Sequence, residues 1–346
     1  MTTTGATGTT KTAGPSQTPV AIDPANPAGA VAAAAARCSN WGRWGPDDVK
    51  GTLNLVTDEH RRRAATLVRR GRSFSLAQPF DMNGPQKGWR RRTNPVHTML
   101  DTGVDAEFAD QGLPHGIGGA DDVVAMPLQC STQWDGLGHI FDHGRAWNGR
   151  RSSQVVTSDG DGVTGIQTVA ADLTGRGVLL DVGRHLGDDV AGTGGELPDG
   201  FAITAEHLEA TIEAQGSTSQ VGPGDFLVVR TGQYGRARRE GWGDYAGGPA
   251  PGLSFTTVDW LRAHDVAAVA TDTWGFEVRP NEFEDAFQPL HQVVIPHLGL
   301  FLGEMWALEE LGADCASDRT YEFLLVAPPL PITGAVGSPL NPIALK

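Results

Sequence analysis

The sequence predicts an α/β protein, built as a single domain around a buried, mixed central sheet. Four apolar segments indicate the sheet, because each is nearly continuous, as in strands covered on both faces. They are GVLLDV (177–182), DFLVVRTG (225–232), VAAVATDTWG (266–275) and TYEFLLVAPPLP (320–331). Helix-like segments alternate with some of them. No internal repeat or linker divides the chain after its first residues, so one domain is favoured.

Helix signals are fewer than strand signals. TDEHRRRAATLVRRG offers Thr57 or Asp58 as an N-cap and Gly71 as a stop. TAEHLEATIEAQG (204–216) has early acids and apolar residues at helical spacing, and TTVDWLRAHD (256–265) is a third candidate. PHLGLFLGEMWALEELG (296–312) is the most apolar, so we expect a deeply packed helix there.

Composition and charge argue against several classes of protein, including those that bind nucleic acid or span a membrane. The chain has 346 residues, a formal net charge of −14, and WRRR (89–92) as its longest basic run. Phosphate binding needs a clustered positive face, so nucleic acid is not an expected partner. No apolar run approaches the roughly 20 residues that span a bilayer, and no signal peptide is evident, so we expect no membrane partner and a cytoplasmic location. Three cysteines without a CxxC spacing argue against a disulfide framework.

The first residues differ in composition from the rest. Residues 1 to 36 are mostly Thr, Ala, Gly and Pro, with almost no large apolar side chains. Such a segment buries too little surface to offset its ordering entropy. We therefore predict a disordered tail over 1–36 and a folded domain over 37–346.

The chemistry is concentrated in MPLQCSTQWDGLGHIFDHG (126–144). On an extended segment, Gln129, Gln133 and Asp135 would share one face, and three oxygen ligands there suit a hard or borderline ion such as Mn²⁺. DGLG would turn the chain, so that His139 could reach back over the pocket. Two other interpretations remain open: a site that has lost its metal, or only a strand and a turn.

This stretch resembles the cyclase superfamily of metal-dependent hydrolases, which includes bacterial kynurenine formamidase and isatin hydrolase. The superfamily signature is His-x3-His-x-Asp-x3-His. Gln129 and Gln133 stand at the leading histidine positions, Asp135 at the acid and His139 at the last histidine. The Gln-x3-Gln form, WNG (147–149) and GSPLNPIALK (337–346) are similar to the trans-dienelactone hydrolase branch.

The resemblance implies a barrel-like central sheet flanked by helices and hydrolysis of a ring ester, ring amide or formamide. It maps Glu304 onto the family acid and His291 onto the histidine before it, with His297 as a competitor. Because a neutral Gln oxygen is a weaker ligand than imidazole, one Mn²⁺ or Zn²⁺ is expected rather than two zinc ions. An even-numbered homo-oligomer is a further family-level expectation.

Three residues are candidates for contact with a small-molecule substrate. Asn94 and His97 lie in RTNPVHTML beside three arginines, which match carboxylates well, although a solvated basic loop explains them equally. Trp134 lies between the proposed ligands.

Two function classes follow. In the first, a metal-dependent hydrolase opens a small lactone or cyclic amide, or cleaves a formamide, with His139 as general base. In the second, the same fold is a non-catalytic small-molecule-binding protein. The presence of Asp135, His139, His291 and Glu304 together favours the first. A serine hydrolase is disfavoured because no GxSxG motif is present.

Overall fold

The structure is built on a nine-stranded mixed sheet that is curled into a half-barrel. It is a computed structural model and describes residues 22–189, 192 and 194–346. The strands are β1 Ser73–Ser75, β2 Val96–Asp101, β3 Asp121–Ala125, β4 Gln133–Asp135, β5 Val156–Thr157, β6 Gly160–Asp161, β7 Thr174–Asp181, β8 Ala202–Ile203, β9 Phe226–Arg230, β10 Gly252–Leu253, β11 Ala268–Thr271, β12 Phe301–Glu304, β13 Glu322–Val326, β14 Gly337–Pro339 and β15 Ile343–Leu345. The large sheet has the order β1-β15-β13-β7-β9-β11-β12-β4-β14.

The centre of the large sheet is parallel and both flanks are antiparallel. Strands β7, β9, β11 and β12 run parallel to one another, whereas β4 and β14 on one side and β13, β15 and β1 on the other are antiparallel to their neighbours. All four predicted strand segments contain a strand of this sheet, and the mixed, buried, barrel-like sheet is confirmed.

The helices pack around this sheet. They are α1 Pro27–Cys38, α2 Asp58–Ala65, α3 Gly103–Glu107, α4 Ser152–Val155, α5 Val182–Leu186, α6 Ala205–Gln215, α7 Gln233–Glu240, α8 Val258–His264, α9 Pro289–Val293 and α10 Glu309–Asp318. A single π-helical turn, Val294–Leu298, extends α9. None of the helices in the described part of the chain is long and apolar enough to cross a membrane.

Two apolar layers form because successive side chains of a strand point to opposite faces. On β7, Val178 and Leu180 join one buried cluster, and Leu179 joins the other. Strand β9 divides in the same way, with Leu227 in the first cluster and Phe226 in the second. Both faces are thus covered, which explains why these strands read as continuous apolar runs.

Three helix predictions hold and one is wrong. Helix α8, Val258–His264, lies within the segment predicted over 256–265. Helix α6 fills the segment predicted over 204–216, and α2 begins after the N-cap Thr57, although it ends at Ala65 rather than near Gly71. The helix predicted over 296–312 does not exist. That segment contains the π-helical turn, strand β12 and the start of α10. Its apolar character reflects burial on both faces of a strand, which periodicity alone does not separate from a buried helix.

The predicted disordered tail needs a partial correction. Residues 27–36 belong to helix α1, whose Asn26 N-cap accepts a hydrogen bond from the Gly29 N–H. Alanine has the highest helix propensity, and Val31, Ala34 and Cys38 are buried against the sheet-covering helices. Small side chains therefore suffice to dock this helix. Residues 1–21 of the predicted tail lie outside the described residues.

Candidate functional site

The acidic part of the candidate site lies on two paired strands. In the antiparallel ladder of β4 and β12, Gln133 stands opposite Glu304, and Asp135 stands opposite Leu302. Because alternate residues of a strand share a face, Gln133, Asp135 and Glu304 all project to the same side. All three are buried. The strand pairing therefore brings two carboxylates and an amide together inside the protein.

Helix α9 adds an imidazole to these carboxylates. His291 lies fully buried on it, with Nε2 3.1 Å from Glu304 Oε1. Its other nitrogen, Nδ1, is 2.5 Å from Oε1 of Glu277, a carboxylate that also accepts from the backbone N–H groups of Leu290 and His291. Ligand atoms of Asp135, His291 and Glu304 lie within 4.8 Å of one another. We call these three residues the buried triad.

The charge balance of the buried triad is negative. Burial, followed by the negative charge of Asp135, raises the pKa of Glu304 to about 7. Burial lowers the pKa of His291, but hydrogen bonds to Glu277 and Glu304 outweigh it and raise that pKa to about 10. One imidazole thus serves two carboxylates, and a third carboxylate, Asp135, lies beside them.

The donor set fits a divalent cation. Gln133 Nε2 donates to Glu304 Oε2 at 2.8 Å and to Asp135 Oδ1 at 3.3 Å, while its buried Oε1 has no partner among the described residues. An unpartnered buried oxygen is costly; rotating the amide by 180° exchanges its oxygen and nitrogen and turns Oε1 towards Asp135 and Glu304, where a cation would satisfy it. With Glu277 fixing Nδ1 of His291, a metal ion would displace the proton that Nε2 shares with Glu304 and bind the Nε2 lone pair, as in carboxylate–histidine–metal arrangements. Carboxylate, imidazole and amide-oxygen donors suit Mn²⁺ or Zn²⁺.

His139 lies beside the buried triad. A turn closed by the His139 N–H and the Gly136 carbonyl follows β4 and brings His139 Nε2 to 3.6 Å from Asp135 Oδ1. Burial lowers the pKa of His139 more than the charge of Asp135 raises it. The imidazole is therefore neutral near pH 7 and can accept a proton.

Gln129 is not on the strand that carries Gln133. It lies half-buried in the turn before β4, and its Nε2 has no hydrogen-bond partner in the described part of the chain. A Cβ placed on Gly337 would lie 2.8 Å from this Nε2, and Gly337 pairs with Asp135 across the sheet. The Gln129 amide thus lies near β4 on the edge that pairs with β14, whereas Glu304 lies on the edge that pairs with β12.

The structure separates the two competing histidines. His297 Nε2 is 2.9 Å from Asp142 Oδ2, and its ring stacks on Trp41 at 4.7 Å between centroids. Asp142 also accepts from Gln292 Nε2 at 2.6 Å. His297 therefore belongs to a separate cluster, and the structure groups His291 with Asp135 and Glu304.

The three residues predicted to contact substrate have their contacts with residues outside the buried triad. Trp134 points to the opposite face of β4, where it is fully buried against Trp306 and donates from Nε1 to the Ala327 carbonyl at 2.9 Å. Asn94 hydrogen-bonds the backbone of Met82 and Gln86. His97, on the exposed β2–β3 hairpin, pairs with Asp122. Strand alternation could have excluded Trp134, because Gln133 and Asp135 already define the other face.

Sequence reasoning missed Glu277 as the partner of His291. A carboxylate soon after a buried strand was its one signal, because such positions often line pockets in α/β sheets. The flanking backbone is also unusual: Phe276, Gln288 and Met305 have φ values of 59°, 47° and 59°. Non-glycine residues in this left-handed region cost about 1–3 kcal/mol each and cluster at functional sites.

These features define an α/β protein with a buried carboxylate–imidazole centre on a half-barrel sheet. The sequence profile of the family named Cyclase matches residues 48–278. A solved structure described as a novel cyclase shares 40% identity and a TM-score of 0.79, over 90% of this chain and 99% of that chain. The chain therefore belongs to the Cyclase family.

More distant structures share the fold. Isatin hydrolase A from Labrenzia aggregata is 17% identical, with a TM-score of 0.55 over 79% of this chain and 93% of that chain. Isatin hydrolase A from Ralstonia solanacearum is 15% identical, with a TM-score of 0.56 over 82% of this chain and 95% of that chain. The comparison with curated proteins gives no match.

Proposed function

We propose that this protein is a metal-dependent hydrolase that opens a small lactone or cyclic amide, or cleaves a formamide. The buried triad is the observation that carries the proposal, because its carboxylates and Glu277 outnumber the positive groups within ion-pair distance of them. Buried charge without a counter-charge is strongly disfavoured, so the site calls for a cation. Membership of the Cyclase family and the shared fold with isatin hydrolases support the same reaction type.

In this proposal, Asp135, His291 and Glu304 hold one divalent ion, Mn²⁺ or Zn²⁺, with the amide oxygen of Gln133 as a further donor. Gln129 is the weaker candidate, because it approaches from the other edge of β4. A bound divalent ion supplies Lewis-acid polarisation of a carbonyl and compensates the negative charge that develops during hydrolysis. Glu277 holds Nδ1 of His291 and so fixes the orientation of the ring.

His139 is the proposed general base. A neutral imidazole at the mouth of the buried triad can take a proton from an attacking water and return it to the leaving oxygen or nitrogen. Asp135 Oδ1, 3.6 Å from Nε2, lies close enough to stabilise the imidazolium that forms in between. The chain thus provides separate groups for cation binding and for proton transfer.

The proposal is tested by metal analysis combined with a substrate panel. Purified protein reconstituted with Mn²⁺ or Zn²⁺ is expected to hold about one ion per chain. The panel contains lactones, cyclic imides, isatin and N-formyl aromatic amines, with and without a chelator. Bound metal without hydrolysis of any compound would favour the non-catalytic binding protein. Hydrolysis that persists without metal would contradict the proposed mechanism.

A further inference from the structure

We propose that the substrate of this site carries a carboxylate on a planar ring, and that Arg92 and Arg279 bind that carboxylate. The inference rests on the proposed function and specifies its substrate class. It comes from six residues that we call the arginine–aromatic cluster. These are Trp89, Arg90, Arg92, Trp274, Arg279 and Phe287.

Three rings form the aromatic part of the cluster. Trp89 lies 5.0 Å from Trp274 and 5.5 Å from Phe287 between ring centroids, tilted at 65° and 52°. Trp274 is buried, whereas Trp89 and Phe287 are 39% and 47% exposed. The rings therefore run from the interior to solvent, which suits a site that takes up a flat molecule from outside.

The guanidinium groups lie at these rings. Cζ of Arg279 is 5.7 Å from the centroid of Trp89 and 5.8 Å from that of Trp274. Cζ of Arg92 is 5.3 Å from the centroid of Trp274. Stacking on aromatic faces orients a guanidinium while its N–H edge stays available, and that edge matches a carboxylate bidentately.

These arginines lack the acidic partners that most buried cations have. Arg92 is only 9% exposed, yet its guanidinium makes no ion pair or hydrogen bond with the described residues. Arg279 donates from Nη2 to the Gly247 carbonyl at 2.8 Å and has no carboxylate within ion-pair distance in the described ranges. Arg92 is buried and Arg279 is half-buried, and a cation that is removed from water without a close partner is costly. An anionic ligand would supply the missing partner.

The cluster is connected to the buried triad through Gln288 and Gly275. Gln288 Nε2 lies 3.5 Å from His291 Nε2. A Cβ placed on Gly275 would lie 3.5 Å from Nε2 of Gln288 and 3.8 Å from Cδ of Arg279. Arg92 is also close enough to the triad for its charge to act on Glu304 and His139. A ring held by the cluster would therefore lie beside the buried triad.

Trp274 supplies a second, independent sign of a ligand. Its side chain is 2% exposed, and its Nε1 has no hydrogen-bond partner within the described part of the chain. Buried indole N–H groups usually find an acceptor. A carboxylate or ring carbonyl between Arg92 and Arg279 would provide one.

A simpler role for the arginines is to offset the acids of the buried triad from a distance. That role predicts no preference for anionic substrates, because a bound metal ion already compensates those acids. Carboxylate recognition predicts a preference that disappears when the guanidinium groups are removed. The two roles therefore differ in an observable way.

The test compares an anion with its neutral isostere. Benzoate and benzamide are titrated into the metal-loaded protein by calorimetry, and kcat/KM is measured for phthalide and 5-carboxyphthalide. We expect the double variant Arg92→Gln/Arg279→Gln to weaken benzoate binding about 10–100-fold, the loss expected for hydrogen bonds to a charged group, and to leave benzamide unchanged. Arg92→Lys and Arg279→Lys should recover part of the loss, because they keep the charge without the fork.

Arg238→Gln is the matched control. Its guanidinium lies 5.3 Å from the centroid of Trp242, outside the arginine–aromatic cluster, so benzoate binding should be unaffected. Metal content is measured in every variant. Equal binding of benzoate and benzamide by the wild type would overturn the inference. So would benzoate binding that survives in the double variant but is lost in Glu304→Gln, because the carboxylate would then sit at the metal.

The binding assay also separates this inference from the proposed function. Arginine-dependent benzoate binding without hydrolysis of any lactone would support the anion site and contradict the hydrolase. Hydrolysis of phthalide and 5-carboxyphthalide with equal kcat/KM would support the hydrolase and contradict the anion site.

Discussion

Two ionic clusters in this protein, each built around a buried carboxylate, have opposite charge balances. In the first, Asp314 pairs with Lys346 Nζ at 2.9 Å, with Arg70 Nη1 at 3.1 Å and with Arg72. Asp318 shares Lys346 and Arg70. Three cations therefore surround two carboxylates. In the second cluster, the buried triad and Glu277, the one imidazole of His291 contacts two carboxylates, and the third carboxylate, Asp135, lies beside them.

The pKa values of the acids move in opposite directions. Burial raises the pKa of Asp314, but the hydrogen bond to Lys346 and the charges of Lys346, Arg70 and Arg72 lower it overall. Burial and the charge of Asp135 raise the pKa of Glu304 to about 7. The first cluster is complete within the chain, whereas the second is short of positive charge. Burial of acids does not by itself indicate a cation-binding site, whereas burial of acids with too few paired cations does.

The largest expected effect comes from removing a carboxylate of the buried triad. Asp135→Ala and Glu304→Gln should lose metal and activity together, with activity falling about 10³-fold or more, because a metal contributes several kcal/mol to charge stabilisation. Elemental analysis and kinetics on the same samples measure both. Full activity in either variant would place the site elsewhere.

Loss of His139 should be next in size. His139→Ala is expected to keep its metal while kcat falls by about 10²–10⁴, the range for a lost general acid–base group. This result would show that, within the second cluster, different residues carry out proton transfer and cation binding. A variant that loses its metal would make His139 a ligand instead.

Glu277→Gln should have a smaller effect. The amide can still contact His291 but no longer holds its Nδ1–H with a charge, so metal affinity should fall about 10–100-fold, as is typical of residues behind a ligand. Competition with a calibrated chelator measures the affinity. An unchanged dissociation constant would show that the geometry of His291 does not depend on this carboxylate.

The complete cluster should affect stability and not metal binding. Asp314→Asn leaves Lys346, the buried cation of this cluster, paired with Asp318 alone and should lower the free energy of unfolding by about 1–3 kcal/mol, measured by urea denaturation. Metal content and kcat of the folded variant should match the wild type. Loss of metal from this variant would show that the first cluster also supports metal binding, which contradicts the distinction between the two clusters.

The sequence predicted the sheet better than the helices. Strands such as β9 are buried on both faces, and their apolar runs are short and bounded, so their assignment was secure. Phe301–Glu304 shares that apolar character but lies in a longer apolar segment, which periodicity alone cannot divide into turn, strand and helix. Helix α1 was missed because its burial uses alanines, which carry little hydrophobic signal.

The site was predictable only in part. The spacing from Gln133 to His139 and the polar residues His291 and Glu304 were visible in the sequence, and the structure brings Asp135, His291 and Glu304 together. Glu277, Arg279 and Trp274 reach the same region from a different strand end, and only tertiary packing shows that. The direction of Trp134 was available from strand alternation but was outweighed by its position in the motif.

The edges of the sheet have a consequence for biosynthesis. Strand β14 pairs with β4, so that Gly337 faces Asp135, and β15 pairs with both β1 and β13. A ribosome must therefore translate as far as Pro339 before the strand that carries Asp135 has its second neighbour, and as far as Leu345 before β1 is paired. Until then the nascent chain exposes unpaired strand edges, which template aggregation. Translation that terminates shortly before β14 would thus yield a chain with an open strand edge beside the buried triad, to which chaperones and proteases would bind.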